Sequence, residues 1–192
     1  DVIFAPMIDG QEPMLFAATN FGLFRTEDEG NSMIQVSGGE FMELVFHPEM
    51  DSICYAIQLL GEGTIFKRST DGGITFSSGA VGWPNIASGE GQRRCEMAVS
   101  PSDPDVVVVL ASGSTDDGGG LFGIYKSEDA GQTFEFICCG DGPGGPWEAE
   151  INPNILGWSE DGTGDGGQYY YDLALAVSPT DVDRQFAAGI CV

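Results

Sequence analysis

FRTEDEGNSM at residues 24–33, KRSTDGGITF at 67–76 and YKSEDAGQTF at 125–134 are three copies of one pattern in this chain of 192 residues. Each copy has a basic residue, Ser or Thr, any residue, Asp, any residue, Gly, any residue, Ser or Thr, and a large apolar residue. The aspartates stand at 28, 71 and 129, which are 43 and 58 residues apart. This period is close to the length of one four-stranded β-sheet unit with variable loops.

The residue types of the pattern suit a hairpin turn. An aspartate carboxylate accepts hydrogen bonds from the N–H groups that follow it, and a glycine two positions later supplies a positive φ. The next Ser or Thr satisfies local backbone groups. The final apolar residue of each copy, Met33 included, is expected to enter the core. A carboxylate repeated at one place in each unit favours a turn residue over a catalytic acid. We therefore predict structural roles for Asp28, Gly30, Ser32, Asp71, Gly73, Thr75, Phe76, Asp129, Gly131, Thr133 and Phe134.

A second repeat alternates with the first. It comprises residues 41–56, 95–111 and 171–188. Each copy reads as an apolar strand, a turn that contains proline and aspartate, and a second apolar strand. The stretch Val106 to Ala111 is apolar throughout and predicts a buried strand. Together the two repeats predict an all-β chain whose unit is strand, Pro turn, strand, link, strand, Asp turn, strand.

These motifs resemble the Asp-box, or bacterial neuraminidase repeat, β-propellers. The resemblance runs from about residue 15 to 192 and includes AVSPSDPDVVVVLAS and LALAVSPTDVDRQFAAG. That group contains sialidases, sortilin-like receptors, xyloglucan-cleaving glycoside hydrolases and large secreted or cell-surface proteins of Bacteroidetes. The segment 153–179 is most similar to the Bacteroidetes propellers exported by type IX secretion. The resemblance implies a β-propeller of four-stranded antiparallel blades in an extracellular or cell-surface protein.

The repeat spacing divides the chain into blades. We expect a partial blade at 1–36, a blade at 41–79, a blade at 94–137 followed by a long loop at 138–170, and a partial blade at 171–192. About two complete blades are fewer than the four or so that a closed ring needs. The sequence therefore indicates an incomplete arc of a larger propeller. The alternative is a four-bladed ring in which the two partial blades complement each other.

The charge excludes several classes of partner. The chain has 30 acidic and 7 basic residues and a formal net charge of -23. Binding to nucleic acid requires clustered Lys and Arg, so we expect no nucleic-acid partner. Anionic membranes are disfavoured for the same reason, and no apolar run approaches the length of a membrane span, so we expect no membrane insertion. An acidic surface of this kind suits a medium with salt or divalent cations.

The metal-binding residue types are sparse. Five cysteines show no CxxC spacing, and one histidine, His47, cannot build a His-rich site, so the sequence argues against zinc. The odd number of cysteines leaves at least one thiol free or paired outside this segment, and the connectivity cannot be read from the sequence.

No catalytic residue can be assigned. The arginine triad that the resemblance would imply for a sialidase is unsupported, because Arg25 and Arg68 belong to the repeat and the other arginines lack that spacing. A glycosidase acting through two carboxylates remains possible, but 30 acidic residues do not single out a pair. Whether the chain is an enzyme stays open, with the balance against it.

The long loop at 138–170 holds the predicted ligand-binding residues. It is rich in Gly and Pro and too long for a simple turn. Trp147, Trp158 and Tyr169 offer aromatic faces that can stack on sugar rings. The alternative is that the tryptophans pin the loop to the sheets.

The same loop carries a candidate calcium pattern. Asp161, Thr163, Asp165 and Asp172 occupy positions 1, 3, 5 and 12 of a calcium-loop spacing, with Gly166 at position 6. Hard oxygen ligands at alternate positions suit calcium. The flanks are not helical, so this is no EF-hand, and Asp172 can instead form a structural hydrogen bond at the start of a strand.

Three functions are compatible with these observations. The first is a non-catalytic module for binding, adhesion or scaffolding, with a glycan or protein ligand, self-assembly, or the remaining blades of a longer chain as partner. The second is part of a sialidase- or xyloglucanase-like glycoside hydrolase whose active site is completed by blades outside this segment. The third is a sortilin-like peptide receptor.

Overall fold

The structure, a computed structural model, describes residues 2–4, 14–61, 63–84, 92–113, 120–138, 154–162, 167 and 172–189. These residues form strands and turns without a helix, and hence without a helix that could cross a membrane. The strands, in chain order, are β1 Val2–Phe4, β2 Leu15–Thr19, β3 Gly22–Thr26, β4 Ile34–Gly38, β5 Glu40–Phe46, β6 Cys54–Leu60, β7 Gly63–Ser69, β8 Ser77–Ser78, β9 Gln92–Ser100, β10 Asp103–Gly113, β11 Leu121–Ser127, β12 Glu135–Cys138, β13 Ala174–Ser178 and β14 Asp181–Ala188.

The strands form three four-stranded sheets and one two-stranded sheet. Sheet 1 has the order β1-β2-β3-β4, sheet 2 the order β5-β6-β7-β8, and sheet 3 the order β9-β10-β11-β12, while β13 and β14 form sheet 4. All neighbouring strands within a sheet are antiparallel and adjacent in sequence. Each sheet is therefore a meander, as the alternating repeats predict.

Successive sheets pack face to face. Sheets 2, 3 and 4 meet at their first strands, whereas sheet 1 meets β5 of sheet 2 mainly through its second strand, β2. Strand β5 contacts β9, and β9 contacts β13. One apolar cluster lies between sheets 1 and 2, a second between sheets 2 and 3, and a third joins sheet 3 to sheet 4 and the segment around Leu156. The residues from Val106 to Ala111 are buried because β10 is covered on both faces, which confirms the predicted buried strand.

The alternation of strand direction separates two ends of the sheets. The Pro turns and the three Asp turns lie at one end, which we call the Asp-turn end. The turns β2–β3 and β6–β7 and the connections between sheets lie at the opposite end, which we call the connecting end. The long segment between β12 and β13 leaves sheet 3 from the connecting end.

Sheet 1 contains one more strand than the sequence predicts. The sequence indicates only the later strands of a blade before residue 36, whereas Val2–Phe4 pairs with Leu15–Thr19 and makes the sheet four-stranded. A strand of three residues without a following Pro turn carries too little periodicity to be recognised in the sequence.

The prediction that Met33 enters the core is wrong. Met33 is 42% exposed, whereas Phe134 is 5% exposed and Phe76 packs against the cluster between sheets 1 and 2. Phe134 points toward sheet 2 and Phe76 toward sheet 1. The corresponding side of sheet 1, which Met33 occupies, has no neighbouring sheet among the described residues.

The segment that leaves sheet 2 crosses to the outer part of sheet 3. Val81 forms a parallel bridge with Thr133, and the N–H of Phe134 donates to the carbonyl of Val81 over 2.8 Å. The indole of Trp83 packs on Phe66, Tyr125 and Phe134, and its Nε1 donates to the carbonyl of Thr64 over 3.1 Å. This crossing fastens the two sheets at a point away from their first strands.

The single histidine supports a turn. His47 is buried, and its Nδ1 accepts hydrogen bonds from the N–H groups of Glu49 and Met50 over 3.1 and 3.0 Å. Its Nε2 lies 3.4 Å from an oxygen of Asp105 in sheet 3. Among the cysteines, Cys54 and Cys95 are buried free thiols and Cys138 is disulfide-bonded.

We expect Gly73→Ala to destabilise the fold far more than Gly30→Ala. Both glycines have a positive φ, 80° for Gly73 and 89° for Gly30, so both substitutions cost about 1 kcal/mol of backbone strain. A Cβ at Gly73 would lie 2.6 Å from the ring of Phe16, whereas at Gly30 it would meet no atom within 4 Å. Overlap in a packed core adds about 1–3 kcal/mol.

The measurement is urea unfolding of the two variants and the wild type. Equal losses of unfolding free energy in the two variants would show that close packing of this turn on Phe16 is not what distinguishes them.

Candidate functional site

Each repeated aspartate is the acceptor of a closed set of hydrogen bonds within its own turn. One oxygen of Asp71 accepts from the N–H groups of Ile74 and Thr75 over 3.1 and 2.9 Å and from the hydroxyl of Ser69 over 2.7 Å. The other oxygen accepts from the hydroxyl of Thr75 over 2.6 Å. Gly73 donates its N–H to the hydroxyl of Ser69 over 2.9 Å.

The other two turns repeat this arrangement. Asp129 accepts from the N–H of Thr133 over 2.8 Å and from the Thr133 hydroxyl over 2.8 Å. Asp28 accepts from the N–H and hydroxyl of Ser32 over 2.8 and 2.6 Å. The position after the aspartate has a positive φ in all three turns, and Ala130 and Glu29 adopt it without being glycine.

These bonds stabilise the ionised form of the carboxylates. Bonds from Thr75 lower the pKa of Asp71 to about 2, and bonds from Ser32 lower the pKa of Asp28. Partial desolvation raises the pKa of Asp129, but the bonds from Thr133 outweigh it, so that this pKa is also lowered. Carboxylates that are fully ionised at neutral pH are poor proton donors, which favours a structural role for all three.

The connecting end carries one of the three aromatic residues that the sequence associates with ligand binding. Trp158 is 56% exposed and lies in the described segment 154–162. Asn154 in this segment is buried, and its side-chain oxygen accepts a hydrogen bond from the N–H of Leu121 over 2.8 Å. Leu156 is buried in the cluster with Leu110. An exposed indole is thus presented on a segment that is anchored to sheet 3.

The remaining predicted ligand and metal residues are only partly placed. Trp147, Tyr169, Thr163 and Asp165 lie outside the described residues. Asp161 is exposed and Asp172 is half-buried just before β13. Within the described ranges, no group of three or more His, Cys, Asp or Glu side chains is arranged to hold a metal ion. The calcium pattern and the aromatic set therefore stay predictions.

A cluster of ionisable residues on the first strands of sheets 2 and 3 escapes the sequence analysis. Glu43 on β5 is opposite Ile57, whose side chain belongs to the cluster between these sheets, so Glu43 faces sheet 3. Glu96 on β9 accepts from Nη2 and Nε of Arg94 over 2.6 and 3.2 Å. The available signal was a lone glutamate within the apolar run FMELVF at 41–46.

The two glutamates of this cluster lie in different surroundings. Burial raises the pKa of Glu43 to about 8, and the charge of Glu96 adds to this effect while Arg94 opposes it. Glu43 is therefore mostly protonated at neutral pH, whereas Glu96 has a guanidinium partner. A buried carboxyl with a raised pKa, near a second carboxyl group that is bonded to a guanidinium, is an arrangement that can serve general acid–base chemistry.

We expect the stability of the wild type to fall relative to Glu43→Gln as the pH rises from 4.5 to about 8, because the raised pKa means that the folded state holds a proton that the unfolded state releases. The variant should be more stable than the wild type by about 1–3 kcal/mol at pH 9 and no more stable at pH 4. Denaturant unfolding at several pH values measures this, with Glu40→Gln, an exposed position on the same strand, as control. Parallel pH profiles for the wild type and Glu43→Gln would contradict the expectation.

Comparison with known proteins places the fold. No protein family and no curated protein matches the chain. An ancestral GH74 enzyme is similar in structure, with a TM-score of 0.50 and 13% identity over 71% of this chain and 18% of that one. A GH74 enzyme of Niastella koreensis has a TM-score of 0.42 and 15% identity over 92% of this chain and 33% of that one. The chain thus spans less than a fifth of the length of the first and a third of the second.

The class of fold follows from the sheets together with this likeness. GH74 enzymes are glycoside hydrolases built from β-propellers, and at such low identity the likeness bears on the fold alone. The described four-stranded antiparallel sheets pack in succession and do not close into a ring. The chain is therefore an arc of a β-propeller, which confirms the predicted fold class, whereas membership of the Asp-box group remains a prediction.

Proposed function

We propose that this chain is a non-catalytic propeller module of an extracellular or cell-surface protein, and that it binds a glycan, or a protein ligand, at its connecting end. Adhesion and scaffolding are the roles that such binding would serve. Export by type IX secretion, self-assembly and association with further blades belong to the same proposal and rest on the sequence resemblance.

The observation that carries this proposal is the exposed indole of Trp158 on an anchored segment. Asn154 and Leu156 fix the backbone of this segment against sheet 3, so the indole is offered without a large cost in ordering entropy. Exposed aromatic faces next to polar groups suit the apolar face and hydroxyls of a sugar ring. The three repeated aspartates, by contrast, have their oxygens engaged inside their turns.

A specific observation also favours a second candidate, part of a glycoside hydrolase. Glu43 has a raised pKa, and Glu96 is bonded to Arg94. The two lie on the first strands of adjacent sheets, and the fold is similar to that of GH74 enzymes. Acid-assisted cleavage of a glycosidic bond uses one protonated and one ionised carboxyl group. In this alternative, blades outside the segment would complete the active site.

Glycan binding and hydrolysis on the same panel of oligosaccharides distinguish the two candidates. We expect binding by the wild type, no hydrolysis, and at least tenfold weaker binding by Trp158→Ala, because an aromatic stacking contact is lost. Phe186→Ala removes another exposed aromatic side chain, on β14, and should leave binding unchanged. Hydrolysis that Glu43→Gln abolishes would overturn the non-catalytic proposal and support the alternative.

Calcium at residues 161–172 is a further part of the proposal. Asp161 and Asp172 belong to the described residues, and the sequence spacing supplies Thr163 and Asp165. We expect added calcium to raise the melting temperature and a chelator to reverse the effect, since a ligand that binds only the folded state stabilises it. Asp161→Asn should reduce the response, and an unchanged melting temperature with and without the chelator would exclude the site.

A further inference from the structure

The three Asp turns differ in how their basic residue is neutralised. In the first turn Arg25 forms an ion pair with Glu27, and in the third Lys126 forms one with Glu128 over 2.6 Å. In both cases the glutamate occupies the variable position just before the aspartate. The middle turn has Thr70 at this position, so its basic residue, Arg68, lacks the carboxylate that the other two have.

Arg68 is directed toward the neighbouring sheet instead. Its Nε donates to the carbonyl of Ala130 in the third turn over 2.7 Å. No carboxylate forms an ion pair with Arg68 among the described residues, and the two Nη groups of its guanidinium form no hydrogen bond there. In a chain with a net charge of -23, a guanidinium without a carboxylate partner is an unusual local feature.

Arg68 lines a groove between the outer parts of sheets 2 and 3. The groove consists of two adjoining cavities of about 250 Å³ each, which share Phe66, Gly79 and Ala80. The first is also lined by Arg68, Ser77, Ser78 and Gln132, and the second by Trp83 and Pro84. The combined volume is within the range of about 300–1,000 Å³ that is common for small-molecule sites.

The groove is open because the last strand of sheet 2 is short. Strand β8 has two residues and pairs only with Lys67 and Arg68, whereas the neighbouring strand β7 has seven residues. The chain then turns away and crosses toward sheet 3. On the part of β7 that β8 does not cover, the Trp83 indole donates a hydrogen bond to the carbonyl of Thr64. The open edge thus lies beside an apolar wall and exposed serine hydroxyls.

The equivalent place on sheet 3 shows that this chemistry is specific to the groove. A cavity of about 310 Å³ there is lined by Lys126 together with Glu128, Asp129 and Glu135. Strand pairing makes Ser77 the partner of Arg68 and Glu135 the partner of Lys126. The cation on sheet 3 is therefore surrounded by carboxylates, whereas no carboxylate is among the described residues that line the groove.

We propose that the groove between sheets 2 and 3 binds a carboxylate-bearing saccharide, such as a chain of uronic acid units. The free Nη groups of Arg68 donate to the sugar carboxylate in a charge-assisted pair. The hydroxyls of Ser77 and Ser78 bond to sugar hydroxyls, and Trp83 and Pro84 contact the apolar face of a ring. The groove shares no lining residue with the segment that carries Trp158 and does not depend on the glycan contact proposed for that residue.

Calorimetric titration with tri-galacturonic acid tests the proposal, with its methyl-esterified form and inorganic sulfate as matched probes. We expect the wild type to bind the acid at least tenfold more tightly than either probe, since a charge-assisted bond is lost with the ester and the sugar contacts are lost with sulfate. Raised salt should weaken the binding.

Two variants act on the guanidinium in different ways. Arg68→Gln removes it, and Thr70→Glu keeps it but installs the carboxylate that the other two turns possess; both should weaken binding of the acid at least tenfold. Thr70 is exposed, so this variant should fold even if Arg68→Gln is destabilised by loss of the bond to Ala130. Arg25→Gln, at the equivalent position of the first turn, should bind as the wild type does.

Several results would overturn the proposal. They are unchanged binding by folded Thr70→Glu, equal binding of the acid and its ester, sulfate binding as tight as that of the sugar, and no binding by the wild type at millimolar acid. Loss of binding in Trp158→Ala with unchanged binding in Thr70→Glu would locate the acidic sugar at Trp158 instead. That result would overturn the groove proposal and leave the proposed function intact.

Discussion

Coverage of both faces of the two middle sheets, sheets 2 and 3, is the constraint on which the rest of this structure depends. Strand β10 contributes six consecutive buried apolar residues from Val106 onward, and such a strand is stable only between two other layers. Sheet 2 covers one face through Tyr55 and Phe66, and the cluster of Leu156 and Leu173 covers the other. Because sheets 2 and 3 need a neighbour on each side, the meanders stack one on the next, and their turns are brought together at two opposite ends.

The repeated aspartates and the candidate functional residues occupy different parts of this arrangement. The repeated aspartates are used to close the turns at one end, where Ser and Thr hydroxyls and backbone N–H groups satisfy them. The residues to which we assign candidate functions occur where the repeat is broken. They are the buried Glu43, the exposed Trp158, and Arg68, whose turn has Thr70 in place of the glutamate of the other two turns. Departures from the repeat are thus better guides to function than the repeat itself.

The sequence predicted the features that local chemistry determines. The Asp turns, the Pro turns and the buried strand in sheet 3 all follow from residue types at short spacing. Burial of Met33 was wrongly predicted because burial depends on whether another sheet lies alongside, which the pattern in one repeat does not contain. The electrostatic effect of Arg94 and Glu96 on Glu43, and the hydrogen bond from Arg68 to Ala130, arise between residues far apart in the chain and could not be predicted from the sequence.

The crossing of residues 79–84 has a consequence for how the arc opens. Val81 is hydrogen-bonded to the turn of the third sheet, and Trp83 is packed among rings from both sheets, so the outer hairpin of sheet 3 cannot separate while this segment stays in place. The chain passes from sheet 1 to sheet 2 through Gly39, and no such crossing joins these two sheets among the described residues. Sheets 2 and 3 should therefore exchange their amide protons as one cooperative unit, while sheet 1 can open at lower free energy.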